Sequence, residues 1–129
     1  MDARDFPRSA RILRAADFRA VFANARHKVS CRHFLLLALP TGTGAGRVGL
    51  VVSKKSVPRA VERNRVKRLI REHYRKRRGE LAGIDLIVLA RKDAHKLANS
   101  AIFHRLESLC TDLLGKTRRH GQSRSMPAA

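Results

Sequence analysis

From Lys54 to Arg78 the chain carries twelve cationic side chains in 25 residues: Lys54, Lys55, Arg59, Arg63, Arg65, Lys67, Arg68, Arg71, Arg75, Lys76, Arg77 and Arg78. Only Glu62 and Glu72 oppose them, which leaves a net +10 in this segment alone. Wound as a helix at about 100° per residue, the segment separates into two sides. Val66, Leu69, Ile70 and His73 gather as a stripe for burial. Asn64, Lys67, Arg68, Arg71 and Arg75 gather opposite, and Arg63 and Arg65 flank the stripe on either side. Guanidinium forks spaced along a rigid helix suit several phosphate groups at once. An ordinary solvated helix face intersperses Glu with Lys, and this one does not.

The rest of the chain supports that chemistry. Of 129 residues, 29 are Lys or Arg against 10 Asp or Glu, a formal net charge of +19. Self-repulsion on this scale is relieved by a polyanionic partner. The length suits a single domain, and a hydrophobic fraction of 43% is enough for a folded core. No apolar stretch is long enough to span a membrane, and the segment from Met1 to Pro7 lacks the apolar core of a secretory signal. Cys31 and Cys110 form no CxxC pair, so neither a disulfide scaffold nor a zinc ribbon is expected. Both read as small buried hydrophobes in a cytoplasmic protein.

The elements that must position the cations follow from periodicity. Residues 1–14 read as an extended arm. Ala15 to Ala25 reads as a helix, with Phe18, Val21 and Phe22 on one face. His27 to His33 suggests a short strand, and Phe34 to Leu39 is an apolar run of strand length. Pro40 to Gly46 is a turn, and Val48 to Val52 a returning strand, so 34–53 is expected to form a hairpin. Its glycines are not a phosphate loop, because that motif needs Gly-Lys-Ser/Thr opening a helix, whereas Gly46 leads through Arg47 into a strand. The basic helix is expected from Pro58 to about Arg78. Ile84 to Ala90 reads as a buried strand. A last helix starts after Asn99 or Ser100 as cap, with Ile102, Phe103, Leu106, Leu109, Cys110 and Leu113 on one side. Residues 115–129 lose periodicity and read as a disordered basic tail. The fold class is α+β, a two-layer α-β sandwich in a single domain over 1–114.

Phosphate binding alone does not separate DNA from RNA. Helix-turn-helix, zinc-finger and RNP1 patterns are all missing. Phe18, Phe22 and Phe34 fit two roles, stacking on unpaired bases beside a basic surface or filling a core. A nuclease working through its own side chains would need a histidine or carboxylate constellation. His27, His33, His73, His95, His104 and His120 share no motif, and the ten acids are scattered. A ribosomal or chromatin-like binder is the alternative that composition by itself favours.

The ordered motifs narrow this. Arg47-Val48-Gly49-Leu50-Val51-Val52-Ser53-Lys54-Lys55, followed by Glu62-Arg63-Asn64-Arg65-Val66-Lys67-Arg68-Leu69-Ile70-Arg71-Glu72, resembles the bacterial ribonuclease P protein family. Asp17-Phe18-x-x-Val21-Phe22, the Phe34 strand and the strand from Ile84 to Arg91 join the match, which spans about 6–114. The resemblance implies a fold like ribosomal protein S5 domain 2, with the Arg-Asn-Arg helix in a left-handed β-α-β crossover. It also implies a subunit of an endoribonuclease that removes the 5′ leader from precursor tRNA. The catalytic centre is then expected in the RNA subunit with Mg²⁺, with no cofactor tightly bound to the polypeptide and no catalytic residue in it. Direct metal binding by the polypeptide is left open. Catalytic RNA and precursor tRNA are the expected partners, with no membrane and no protein partner. The residues so assigned to RNA are Lys54, Lys55, Arg59, Arg63, Asn64, Arg65, Lys67, Arg68, Arg71 and Arg75. Those assigned to a leader cleft are Phe18, Phe22 and Phe34. Pro58, the loop at 41–46 and the tail depart from the family pattern.

Overall fold

A computed structural model describes residues 15–42, 44 and 46–125. The proposed arm at 1–14 lies outside them. The elements are α1 (Ala15–Asn24), β1 (His27–Ser30), β2 (Phe34–Pro40), β3 (Arg47–Val51), α2 (Ala60–Lys76), β4 (Ile84–Ala90), a 3-10 turn at Ala94–Lys96, and α3 (Asn99–Ser125). This is a mixed α+β chain with one four-stranded sheet and three helices.

The sheet order is β1-β2-β4-β3, which overturns the expected 34–53 hairpin. The hairpin is β1–β2, with Val29 opposite Leu36. β4 runs antiparallel to β2, and β3 lies outside it, parallel to β4, with Val48 opposite Leu86. The loop after β2 explains the difference. Its Thr41 and Gly42 amides donate to the Gly83 carbonyl at 2.7 and 3.1 Å, and Gly44 O accepts from the Gly83 amide. The backbone groups that would close a hairpin are thus bonded to the α2–β4 connection instead. β3, α2 and β4 form a β-α-β crossover between neighbouring parallel strands.

Alternation along the strands sends two sets of side chains to opposite faces. Phe34, Leu36 and Ala38 of β2, Val48 of β3 and Leu86, Val88 and Ala90 of β4 join Val66, Leu69, Ile70 and Tyr74 of α2 and Ile102, Leu106, Leu109 and Leu113 of α3 in the main core. Leu37 and Ile87 turn the other way, where Val21 of the ten-residue α1 packs on them. One face of the sheet is fully covered by two helices, the other only in part by one.

The glycine before β3 is fixed by close approach. A Cβ on Gly46 would lie 2.6 Å from the Ile84 carbonyl oxygen and nearer still to that of Leu81, both backbone atoms unable to yield. Gly46→Ala is therefore expected to destabilise the fold by about 1–3 kcal/mol, the usual cost of overpacking. Gly79→Ala, where a Cβ meets nothing within 4 Å, is the comparator in urea denaturation.

Helix ends differ from expectation at three places. α2 begins at Ala60 with Arg59 as its extended N-cap (φ −87, ψ 133), two residues after Pro58. The first α3 bond runs from the Ile102 amide to Ala98 O at 3.0 Å, so Ala98 takes the cap position and the Asn99 side chain is used elsewhere. α3 also continues through Gly115 to Ser125, across the segment read as a disordered tail. One glycine costs a helix only about 1 kcal/mol, and buried Leu113 and Leu114 hold the turn before it. Lys116 Nζ, which donates to Lys28 O at 3.0 Å, holds the turn after it.

Candidate nucleic-acid interface

α2 divides as its periodicity requires. Val66, Leu69, Ile70 and His73 are buried as expected, and Tyr74 extends the stripe one step beyond. Burial raises the Tyr74 phenol to about 12, so it stays neutral. Burial likewise lowers the His73 imidazole below its ordinary value, against the raising effect of Glu107 at 3.2 Å. On the far side Asn64 and Arg68 are exposed, and Lys67, Arg71 and Arg75 are half-exposed. Lys54, Lys55 and Arg59 are exposed in the connection that leads from β3 into the helix.

Three cations of the segment serve the protein itself. Arg63 Nη1 donates to Val57 O at 3.0 Å and to Pro58 O at 2.7 Å, tying the connection to the helix it precedes. Arg77 holds Glu80 and Glu107 together with the Thr111 hydroxyl, and its hydrogen bond to Glu80 is the main reason its pKa is raised. Arg65 is the most committed. Its Nε donates to Glu62 at 3.3 Å, its Nη1 to Asn99 Oδ1, and its Nη2 to His95 O at 2.6 Å and Leu97 O at 3.1 Å. The guanidinium expected to face RNA is thus engaged within the fold. Its place on the flank of the buried stripe turns it toward the 3-10 turn and the start of α3.

The three phenylalanines do not share a cleft. Phe34 is 0% exposed in the main core, on the face that α2 and α3 cover, and its assignment to a leader cleft is withdrawn. Phe18 is half-buried against the opposite face, alongside partly buried Leu35, Leu39 and Val51. Phe22 is 48% exposed. This pair and the incompletely covered apolar strands beside it form an open surface across the sheet from the α2 core. Periodicity cannot assign a strand residue to one face or the other without the register, so the sequence by itself leaves the distinction open.

Sequence patterns gave no signal for the ion pair that holds α1 to this face. Asp85 of β4 is 6% exposed and opposes Arg47 of β3 in register. Arg47 donates to it through Nε at 3.1 Å and Nη2 at 2.7 Å, while Nη1 lies 3.3 Å from Asp17 of α1. The hydrogen bond that Arg47 donates to Asp85 is the largest cause of the raised Arg47 pKa. The fork spans two strands and a helix.

Among the described residues no group of three or more His, Cys, Asp or Glu side chains is placed to hold a metal ion, and no helix is long and apolar enough to cross a membrane.

Comparison with known proteins agrees with this geometry. The ribonuclease P protein component of Chromohalobacter salexigens is 45% identical over 109 residues, covering 84% of this chain and 85% of that protein. That of Pseudomonas aeruginosa is 46% identical over 114 residues, covering 88% and 84%. The RNase P protein structure from Staphylococcus aureus superposes with a TM-score of 0.73 at 32% identity, covering 79% of this chain and 93% of that one. The Thermotoga maritima structure gives 0.67 at 27% identity, covering 77% and 93%. The Ribonuclease P family model matches residues 6–114, a span that includes both the cationic helix and the open face, and the chain belongs to the ribonuclease P protein family.

Proposed function

We propose that the chain is the RNA-binding protein subunit of ribonuclease P, acting with a catalytic RNA in endonucleolytic removal of the 5′ leader from precursor tRNA. The observation that carries this reading is the pairing of two unlike surfaces on one small fold. A cationic side of α2 faces away from the core, and an apolar, aromatic-edged face is left open on the other side of the sheet.

The first surface suits the catalytic RNA. Lys54, Lys55, Arg59, Asn64, Lys67, Arg68, Arg71 and Arg75 would contact its phosphates and lower the repulsion between it and the substrate. Arg63 and Arg65 set the helix in place from within. The second surface suits a single-stranded leader, with Phe18 and Phe22 as stacking platforms. The left-handed crossover and the likeness to ribosomal protein S5 domain 2 belong to the same family reading. So does a cytoplasmic location.

Mg²⁺ would supply, on the RNA, the charge stabilisation and nucleophile activation that phosphodiester cleavage requires. In this reading the polypeptide's part is binding and positioning.

The test is reconstitution with a bacterial ribonuclease P RNA at low Mg²⁺. The chain should restore leader cleavage, whereas a structured-RNA binder of ribosomal type would bind RNA without doing so. Phe22→Ala in this holoenzyme should weaken precursor binding about tenfold, within the range of one base–aromatic stack, and leave mature tRNA binding unchanged. Equal losses for both would remove Phe22 from the leader site.

A further inference from the structure

The end of the sheet where β2 begins and β3 and β4 finish gathers a second group of cations, none of them on α2. Arg32 and His33 stand in the turn between β1 and β2, Arg91 and Lys92 follow β4, and Arg105 lies on the second turn of α3. The backbone binds these pieces together. The Arg91 amide donates to His33 O at 2.8 Å, and Arg91 Nη1 donates to Cys31 O at 3.0 Å. Arg32, Arg91, Lys92 and Arg105 are exposed. The His33 imidazole is held below its ordinary value by burial first and then by the charges of Arg32 and Arg105, so both guanidinium groups act on the same ring. Asp93 acts on it in the opposite sense, but it is shared with Lys96 at 3.4 Å. Cations gathered around one carboxylate repel one another until an anion arrives from outside.

The open face runs out at this same end. Leu35 and Leu89, directly paired in register, are its last apolar residues on β2 and β4, and His33 and Arg91 come within two residues of them in the chain. A strand resting beside Phe18 and Phe22 and leaving over this edge meets the cations next. We infer that Arg32, His33, Arg91 and Arg105 form a phosphate-binding rim for single-stranded RNA, which takes the backbone of leader nucleotides beyond those held on the open face. The inference rests on the leader reading proposed above and extends it to a second set of residues.

The experiment uses reconstituted holoenzyme containing the Arg32→Gln, Arg105→Gln double variant. Both side chains are exposed, and neither makes the hydrogen bonds that hold the turn. Three ligands are compared: a precursor with a long leader, one whose leader is too short to leave the open face, and mature tRNA. The long-leader precursor should bind about five- to tenfold more weakly at about 0.1 M salt, with a salt slope shallower by roughly 1.4, as expected for two lost single-strand phosphate contacts. The other two ligands should be unaffected. Equal loss for all three, or weaker binding to the catalytic RNA alone, would overturn the proposal by placing the rim on that RNA. No loss for any ligand would overturn it too. Wild-type holoenzyme that does not process precursor is a failure of the underlying reading, visible before any variant is compared. NMR titration of the His33 ring in the wild-type chain gives a second readout. A long-leader oligonucleotide should raise its pKa as phosphates offset the two arginines, and an unchanged value counts against the rim.

Discussion

Phe34→Ala is expected to lower the unfolding free energy by about 3–5 kcal/mol, the usual loss for an aromatic ring removed from a packed core. Phe22→Ala is expected to leave it nearly unchanged. The two rings differ in element and in burial. Phe34 starts β2 opposite Ala90 of β4, so its ring fills the space which that small partner leaves, within the cluster that includes Leu36, Val88, Ile102 and Leu106. Truncation there opens a cavity that close-packed neighbours can only partly collapse into. Phe22 is 48% exposed and leaves no such void. Urea denaturation of both variants measures the difference. Holoenzyme assays then separate the roles, since Phe22→Ala should lose precursor binding at full stability. A Phe34→Ala chain with native stability and impaired precursor binding would return Phe34 to the leader cleft and overturn its place in the core.

What could be read in advance follows from how each element is stabilised. β4 appears at Ile84–Ala90, where an apolar run following Gly79 and Gly83 predicts a buried strand. The buried side of α2 was legible because a period near 3.6 separates Val66, Leu69 and Ile70 from Arg68, Arg71 and Arg75 with no help from the rest of the fold. Strand pairing was different. Phe34 to Leu39 is apolar on both faces, so it carries no alternation to say which neighbours flank it. The crossover that puts β4 between β2 and β3 is decided by contacts far apart in the chain. Assigning phenylalanines to one cleft failed for the same reason. Arg65 was half legible: its position beside the buried stripe marked it as able to reach inward, but only the placement of the 3-10 turn and α3 supplies acceptors for it to reach.

That placement makes Arg65→Ala the second large effect, and it should appear in stability before RNA binding. Arg65 is the one side chain of α2 whose guanidinium bonds to the His95 and Leu97 carbonyls and to the Asn99 side chain together, holding the 3-10 turn and the head of α3 against the helix. Losing it strands acceptors that are partly shielded from water. The expected cost is about 2–4 kcal/mol, between that of one charged hydrogen bond and of a broken buried pair. At about 2–6 °C per kcal/mol for a domain near this size, thermal unfolding registers it readily. Arg65→Lys should recover little, because a single ammonium cannot span carbonyls that a planar fork meets together. Arg68→Ala is the counterpart. Its side chain is exposed, so stability should change by less than about 0.5 kcal/mol, while affinity for the catalytic RNA falls and its salt slope flattens by roughly 0.7–0.9 for the phosphate given up. If instead Arg65→Ala melts like the wild type and loses the same salt-dependent affinity as Arg68→Ala, the clamp is wrong and Arg65 faces RNA together with Arg68. A clear split between the two variants means that one helix serves two purposes: its flank secures it to the fold, and its far side presents charge to the nucleic acid.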